Sequence, residues 1–379
     1  MKPVGLLRAA LLALLTLGVL TPGVLALFRF NDSRERLFLL LSTSLGWDSN
    51  VFASANEKSD TIVTAAASID YSRRAGIIGV NASLGMELGR FVEFNSEDYV
   101  NPRASFGLVK TTGRTTGSLS LGAARESRAD VAANVRAESW NYDSLFKVRY
   151  PVIDRYSLSG SLGYNMRDFT ENPLLVDLAT ATASADLLYA YDSRRDLFAG
   201  YRLRLTDSAL DTQSYDHAFT LGVTGRIIPR LNGTVRVGYQ FRDTTGLLRN
   251  EDFSAVNAGI ALTWTLSRRT NLTGQISKDF ATTSTDITND TVAATLDFKM
   301  AVNAKLGATA GVGYGTADFL GTRGAGRRDT YATATASAQY LLTEKVNFSL
   351  TASHLRNWST LALADYDRNA VTLGLSCRF

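Results

Sequence analysis

From Asp367 to Phe379 the chain sets apolar side chains at 371, 373, 375, 377 and 379, and polar or small ones between them. Successive side chains on a strand face opposite sides, so this segment has one apolar and one polar face. The same two-residue rhythm recurs along most of the chain with no helical stretch between repeats. In 231–242, Leu231, Gly233, Val235, Val237, Tyr239 and Phe241 oppose Asn232, Thr234, Arg236, Gly238, Gln240 and Arg242; residues 78–88 and 291–300 repeat the pattern. A chain written this way can bury little unless its strands close on one another.

Eighteen strands are expected, at about 37–48, 61–72, 77–90, 98–109, 115–126, 140–150, 156–168, 177–191, 195–206, 215–227, 231–243, 253–266, 271–281, 290–301, 306–317, 329–342, 346–357 and 367–379. Short links rich in turn formers, such as Arg73-Arg74-Ala75-Gly76, Asp192-Ser193-Arg194 and Asn303-Ala304-Lys305, alternate with longer polar links near 51–60, 126–138, 170–176 and 321–328. The even count and this alternation predict an all-β, closed, antiparallel transmembrane barrel with an up-and-down meander. Short turns and both chain ends would face the periplasm, and long loops the exterior. Aromatics support a bilayer on the same basis: Tyr71, Tyr150, Tyr156, Tyr191, Trp264, Tyr340, Phe348 and Phe379 fall at one end of the apolar faces. Trp47, Tyr164, Tyr239, Phe241, Phe280 and Tyr314 fall at the other.

Residues 1–26 read as a signal peptide: Lys2 and Arg8 precede an apolar run from Ala9 to Leu20, and Val24-Leu25-Ala26 offers a small-residue cleavage site. The run is shorter than the roughly 20 residues a bilayer helix needs. Residues 27–36 are then a periplasmic leading segment and 37–379 the barrel, placed in the outer membrane of a Gram-negative bacterium, with outer-membrane lipid as the expected partner. The formal charge of +4 loses two positive groups with Lys2 and Arg8, so the basic balance gives no argument for nucleic acid. A single cysteine, Cys377, forms no internal disulfide, and two histidines are too few for a metal cluster. No cofactor is expected.

A barrel of this size is wide enough for a wet lumen. Its inward faces should carry Arg103, Lys147, Arg149, Arg167, Arg202, Arg204, Arg226, Arg236, Arg242, Lys299 and Arg378, against the acids Asp70, Glu87, Asp186, Asp279 and Asp297. Forked guanidinium donors in a low-dielectric channel concentrate anions. Equally, arginines in such a wall can serve only to neutralise lumen carboxylates. The densest patch, Arg202 and Arg204 with Arg226 and Arg236 on the next strands, is the expected seat of selectivity.

Two glycine-rich runs, 311–315 and 321–326, lack the strand-to-helix context of a phosphate loop. His354 and Ser353 are strand neighbours facing opposite sides, so they make no catalytic pair, and with His217 they leave a hydrolase the least favoured reading. No catalytic residue is expected.

Trp47-Asp48-Ser49-Asn50-Val51-Phe52, followed by Ser59-Asp60-Thr61, resembles the opening signature of outer-membrane β-barrel porins associated with exopolysaccharide and capsule biosynthesis. In that family an aromatic-Asp-x-Asn-hydrophobic-aromatic run ends the first strand and a Ser-Asp pair opens the second; Trp47 stands where tyrosine is usual. The strand rhythm and the terminal Phe379, a membrane-assembly end signal, extend the likeness over most of the chain. The resemblance implies a passive conduit linked to exopolysaccharide export, with anionic polysaccharide and periplasmic export machinery as partners. A scaffolding barrel that docks such machinery, or a general diffusion porin, are the alternatives. From the residues alone, Asp48 and Asn50 are first of all strand-end turn formers.

Overall fold

The computed structural model describes residues 35–130, 132–133, 135–170, 173–246, 249–324 and 326–379. The expected signal peptide and nearly all of the leading segment lie outside the described residues. Glu35 and Arg36, placed in that leading segment by the sequence, already belong to the first strand.

Eighteen antiparallel strands form one sheet in which each pairs with its neighbours in sequence. They are β1 (Glu35–Asp48), β2 (Asp60–Ala75), β3 (Ile78–Phe91), β4 (Tyr99–Lys110), β5 (Thr116–Asp130), β6 (Val135–Ile153), β7 (Tyr156–Thr170), β8 (Leu178–Asp192) and β9 (Arg195–Ser208). The second half comprises β10 (Thr212–Ile228), β11 (Leu231–Gly246), β12 (Arg249–Ser267), β13 (Thr270–Thr282), β14 (Thr288–Ala301), β15 (Leu306–Phe319), β16 (Arg328–Leu341), β17 (Val346–Ser359) and β18 (Tyr366–Arg378). β1 also pairs with β18, in register from Leu40↔Arg378 to Asp48↔Ala370. Reciprocal amide bonds between Leu39 and Phe379, 2.9 and 3.0 Å, complete the seam. Closure leaves no edge strand, the condition for an apolar outer wall to sit in hydrocarbon.

One end of the cylinder carries both described chain ends and the short turns, and the other carries the longer loops; we call them the turn end and the loop end. At the turn end the register shifts by one residue at Pro151/Ile153, Ala190/Asp192, Arg226/Ile228 and Thr265/Ser267. These bulges sit beside tight turns, and two of those turns place Arg155 and Arg230 at positive φ, 64° and 67°.

The outward face is apolar and exposed. Leu84, Leu162, Leu221, Val237 and Val312 are all more than half exposed, an arrangement that water would penalise and acyl chains would cover. Trp47, Tyr164, Tyr239 and Tyr314 ring the loop-end margin of this belt, and Tyr150, Tyr156, Tyr191, Trp264 and Tyr340 the turn-end margin. Phe280 departs from the expectation: it is buried, packed near Phe253 and under the Arg242 guanidinium.

The largest departure is the link expected at 126–138. β5 and β6 continue as a paired ribbon to Asp130↔Val135. Polar cross-strand contacts hold the extension: Arg125 pairs with Glu138, and Arg136 donates to the Ser127 carbonyl at 2.9 Å. Apolar alternation stops where hydrocarbon stops, so a strand that runs on beyond it reads as loop.

Candidate functional site

The lumen face alternates with the apolar belt, and its two ends differ. At the loop end, segments from opposite walls meet over the mouth. The tip of the β5–β6 ribbon reaches the loops after β13 and β15, about half the ring away: Ser284 donates its hydroxyl to Asp130 at 2.7 Å, and Arg327 Nη1 donates to the Ala132 carbonyl at 2.9 Å. Asp130 is buried and also accepts the amides of Ala132 and Ala133, at 3.0 and 3.3 Å, and Arg167 Nη1 at 3.4 Å. The Val176 amide donates to the Ser284 carbonyl at 2.8 Å, and Thr212 to Asp286 at 2.9 Å, drawing the loops after β7 and β9 into the same knot. Ala133, Val135, Ala137, Phe169 and Leu175 pack beneath it as a small apolar cluster. These contacts place a strap of backbone across the opening.

Below the strap lies a charge network on β9, β10, β11 and β13. Asp216 is fully buried and accepts Arg204 Nε at 2.5 Å and Arg242 Nε and Nη2 at 2.5 and 2.7 Å. Arg242, also fully buried, spends Nη1 on the Ala281 carbonyl and Thr282. Arg202 grips Asp279 with both terminal nitrogens, at 2.8 and 2.9 Å, and Arg204 adds contacts to Asp279 at 3.3 Å and to the Phe280 carbonyl at 2.6 Å. Neighbouring strands lie ~4.8 Å apart. Direct contact from β9 to β13, with three strands between, therefore requires a sharply curled wall. Buried pairs of this kind are strongly destabilised by loss of one partner.

At the turn end the same residue type is left open. Lys147, Arg226, Arg236 and Lys299 near the turns, and Arg103 at mid-strand in β4, point inward and are exposed, and among the described residues none has a carboxylate within ion-pair distance. Arg236 instead lies over the buried Phe198 ring at 5.7 Å. Arg149 pairs with Asp196 at 2.7 Å, half exposed, and Arg378 lies 3.8 Å from the Phe38 ring centroid. So of the inward cations named from sequence, the structure neutralises Arg167, Arg149, Arg202, Arg204 and Arg242, and gives the other named ones no ion pair among the described residues. Glycines make room for aromatic rings at both ends of the lumen: the rings of Tyr99 and Tyr331 lie across Gly89 and Gly315 near the loops, and that of Phe198 across Gly222 near the turns, where an added Cβ would come within 2.4 Å of them.

Sequence reasoning named neither Asp216 nor Asp130. Asp216 shares the inward parity of Arg226 and stands opposite Arg204 and Arg242 in both ladders, so register would have found it. Asp130 lay in the supposed loop, where parity gives no guidance.

The signature residues scaffold the mouth. Asp48 accepts Arg368 at 2.6 and 3.0 Å and the Asn50 amide at 2.9 Å, and Asn50 donates to the carbonyls of Ser54 and Asp367. Asp60 gathers the amides of Thr61, Glu93 and Phe94 at 2.6 to 3.0 Å, pinning the β3–β4 loop to the start of β2. Phe52 and Phe94 meet edge to face at 5.3 Å with the Lys58 ammonium over both. Trp47 points outward, Ser59 is exposed, and Phe379 closes the seam under Lys345.

Both histidines lie on the outward face, His217 bonded to the Tyr201 hydroxyl at 2.7 Å and His354 to Asn369 Oδ1 at 2.8 Å. The run 311–315 is a strand interior of β15, not a phosphate loop. No cluster suited to a metal occurs among the described residues.

This is the fold of the large outer-membrane barrels. It aligns with the outer membrane protein OpdK of Pseudomonas aeruginosa at TM-score 0.51 and 10% identity, covering 91% of this chain and 99% of that one. OccK2 (OpdF) of the same organism gives 0.50 at 9% identity, over 91% and 98%, and the ferric preacinetobactin receptor BauA of Acinetobacter baumannii 0.50 at 10%, over 91% and 80%. Residues 218–379, from the middle of β10 to the C-terminus, match the family described as "Putative beta-barrel porin 2". That span excludes 47–61, on which the likeness to exopolysaccharide-associated porins rests. No curated protein sequence matches the chain.

Proposed function

We propose that this chain is an outer-membrane porin: a lipid-embedded conduit for small anionic solutes, whose loop end is crossed by a strap and whose lumen below it carries the unpaired cations. The observation that carries the reading is the closed eighteen-stranded wall, apolar outside and polar within. The porin family match over 218–379 supports it. Selectivity on this reading belongs to Arg103, Lys147, Arg226, Arg236 and Lys299, with the neutralised Arg202, Arg204 and Arg242 holding the wall in shape. Planar-bilayer recording of the purified protein tests the proposal: discrete, anion-preferring openings are expected, and a membrane that stays silent, or a cation preference, would overturn it.

The finer reading, an association with exopolysaccharide export, rests on the 47–61 signature, with anionic polysaccharide and periplasmic export machinery as partners. Its test is secretion from cells lacking the gene: unchanged polysaccharide output would count against it. The strapped mouth favours one further reading, a scaffold that docks such machinery through basic turns such as Arg73-Arg74 and Arg268-Arg269. Neutralising those turns should then abolish secretion, whereas a pore would tolerate the change.

A further inference from the structure

We infer that the turn-end lumen holds a binding recess for a singly charged, hydroxylated carboxylate of sugar-acid size, a refinement that rests on the porin reading. The recess has a volume of about 830 Å³ between the walls of β1 to β6 and β18, within the ~300–1,000 Å³ of small-molecule sites. Three cations, Arg36, Arg103 and Arg378, face two acids, Asp70 and Asp143. The surplus of one positive charge matches one carboxylate and is too small for a doubly charged phosphate.

Arg103 is the anchor. It has no ion-pair partner, and its side chain is laid over Gly85, where an added Cβ would stand 3.1 Å from Nε. A guanidinium held by its stem and free at its fork is set up for two parallel bonds to a carboxylate. Hydroxyl recognition comes from Asp70, which accepts the Ser83 hydroxyl at 2.6 Å on one oxygen and keeps lone pairs for a solute hydroxyl on the other. Phe38, lying against Arg378, adds a flat apolar face suited to the C–H face of a pyranose. Arg36, Ser72 and Arg378, all near the turn-end termini of their strands, line it, so the recess lies on that side of the lumen.

The test uses the full-length protein with glucuronate as the probe, and glucose, hexanoate and inorganic phosphate as comparators. Glucuronate added on the turn-end side should interrupt the bilayer current while glucose does not, and Arg103→Gln should raise the concentration needed by about tenfold or more, the loss expected for a charge-assisted contact. Asp70→Asn should weaken glucuronate and leave hexanoate unchanged. Glucuronate acting equally on wild type and Arg103→Gln, glucose matching glucuronate, or phosphate binding more tightly than either would overturn the assignment. Calorimetric titration of the detergent-solubilised protein reads the same affinities without a current. A silent bilayer with intact calorimetric binding therefore overturns the porin reading alone, and open pores without binding overturn the recess alone. Arg378→Gln, with folding checked by heat-dependent gel mobility, repeats the test should Arg103→Gln fail to fold.

Discussion

At the loop end of the lumen Arg204 and Arg242 share the buried carboxylate of Asp216, whereas Arg103 at mid-strand and Lys147, Arg226 and Lys299 near the turns face water with no carboxylate of the described residues in range. Both halves draw on inward basic residues; what separates them is whether a carboxylate stands within reach, as Asp216 and Asp279 do of the network arginines. Where β9 to β13 bend tightly, side chains four strands apart touch and their charges cancel, part-buried at Asp279 and fully buried at Asp216. Elsewhere a cation finds only uncharged residues across the ladder, Gly85 and Ala124 beside Arg103, Asn232 beside Arg226, Asn271 and Thr309 beside Lys299, and its charge is left to act on whatever passes. The same residue is thus a structural tie in one half and a field source in the other.

The largest effect expected from this contrast is on stability. Asp216→Ala strands two buried guanidinium groups and should cost ~3–5 kcal/mol, seen as a lower urea midpoint for unfolding from detergent, while Arg103→Ala should change it by less than about 0.5 kcal/mol. Equal losses would erase the distinction between the halves. Next comes the strap. Asp130→Ala removes the acceptor for Ser284, Arg167 and two amides at once, so single-channel conductance should rise roughly twofold or more as the mouth loosens; an unchanged conductance would mean that the strap does not limit flow.

Selectivity should follow the other half. The triple change of Arg103, Arg236 and Lys299 to glutamine should abolish anion preference in reversal-potential measurements, and changing Arg202 alone should leave the preference in place while lowering stability. The smallest effect is predicted for Arg149→Gln, since its half-exposed pair with Asp196 should contribute no more than about 1 kcal/mol.

The fold was legible because lipid imposes a strict rule on outward positions. All eighteen strands appear where the alternation places them, and the closing pair at Phe379 follows from the last of them. The rule lapses beyond the hydrocarbon: above Ala123 the β5–β6 ribbon mixes Arg125, Glu126 and Glu138 with Val135 and Ala137 in no two-residue rhythm, so alternation does not reveal the extended ribbon or the strap it forms. Inward parity correctly placed Arg202, Arg204 and Arg242 on the lumen face, but parity says nothing about curvature. Their carboxylate partners lie on strands one to four positions away, and only the bent wall brings Asp279 to Arg202. The signature residues show a related limit. Asp48, Asn50 and Asp60 could be read as turn formers from sequence, yet their partners, Arg368, Asp367 and Phe94, lie across the barrel seam and on the next loop.

The division of the lumen into a strapped, neutralised half and an open, basic half can be measured directly by thiol labelling. With Cys377 replaced by serine, a cysteine is introduced at Ser105 in one variant and at Thr206 in another, and each is exposed to a negatively charged methanethiosulfonate from either side of the membrane. Rapid labelling of the Ser105→Cys variant from the turn-end side, slow labelling of it from the loop-end side, and protection of the Thr206→Cys variant from both are the predicted result. Equal rates from both sides at both positions would contradict it.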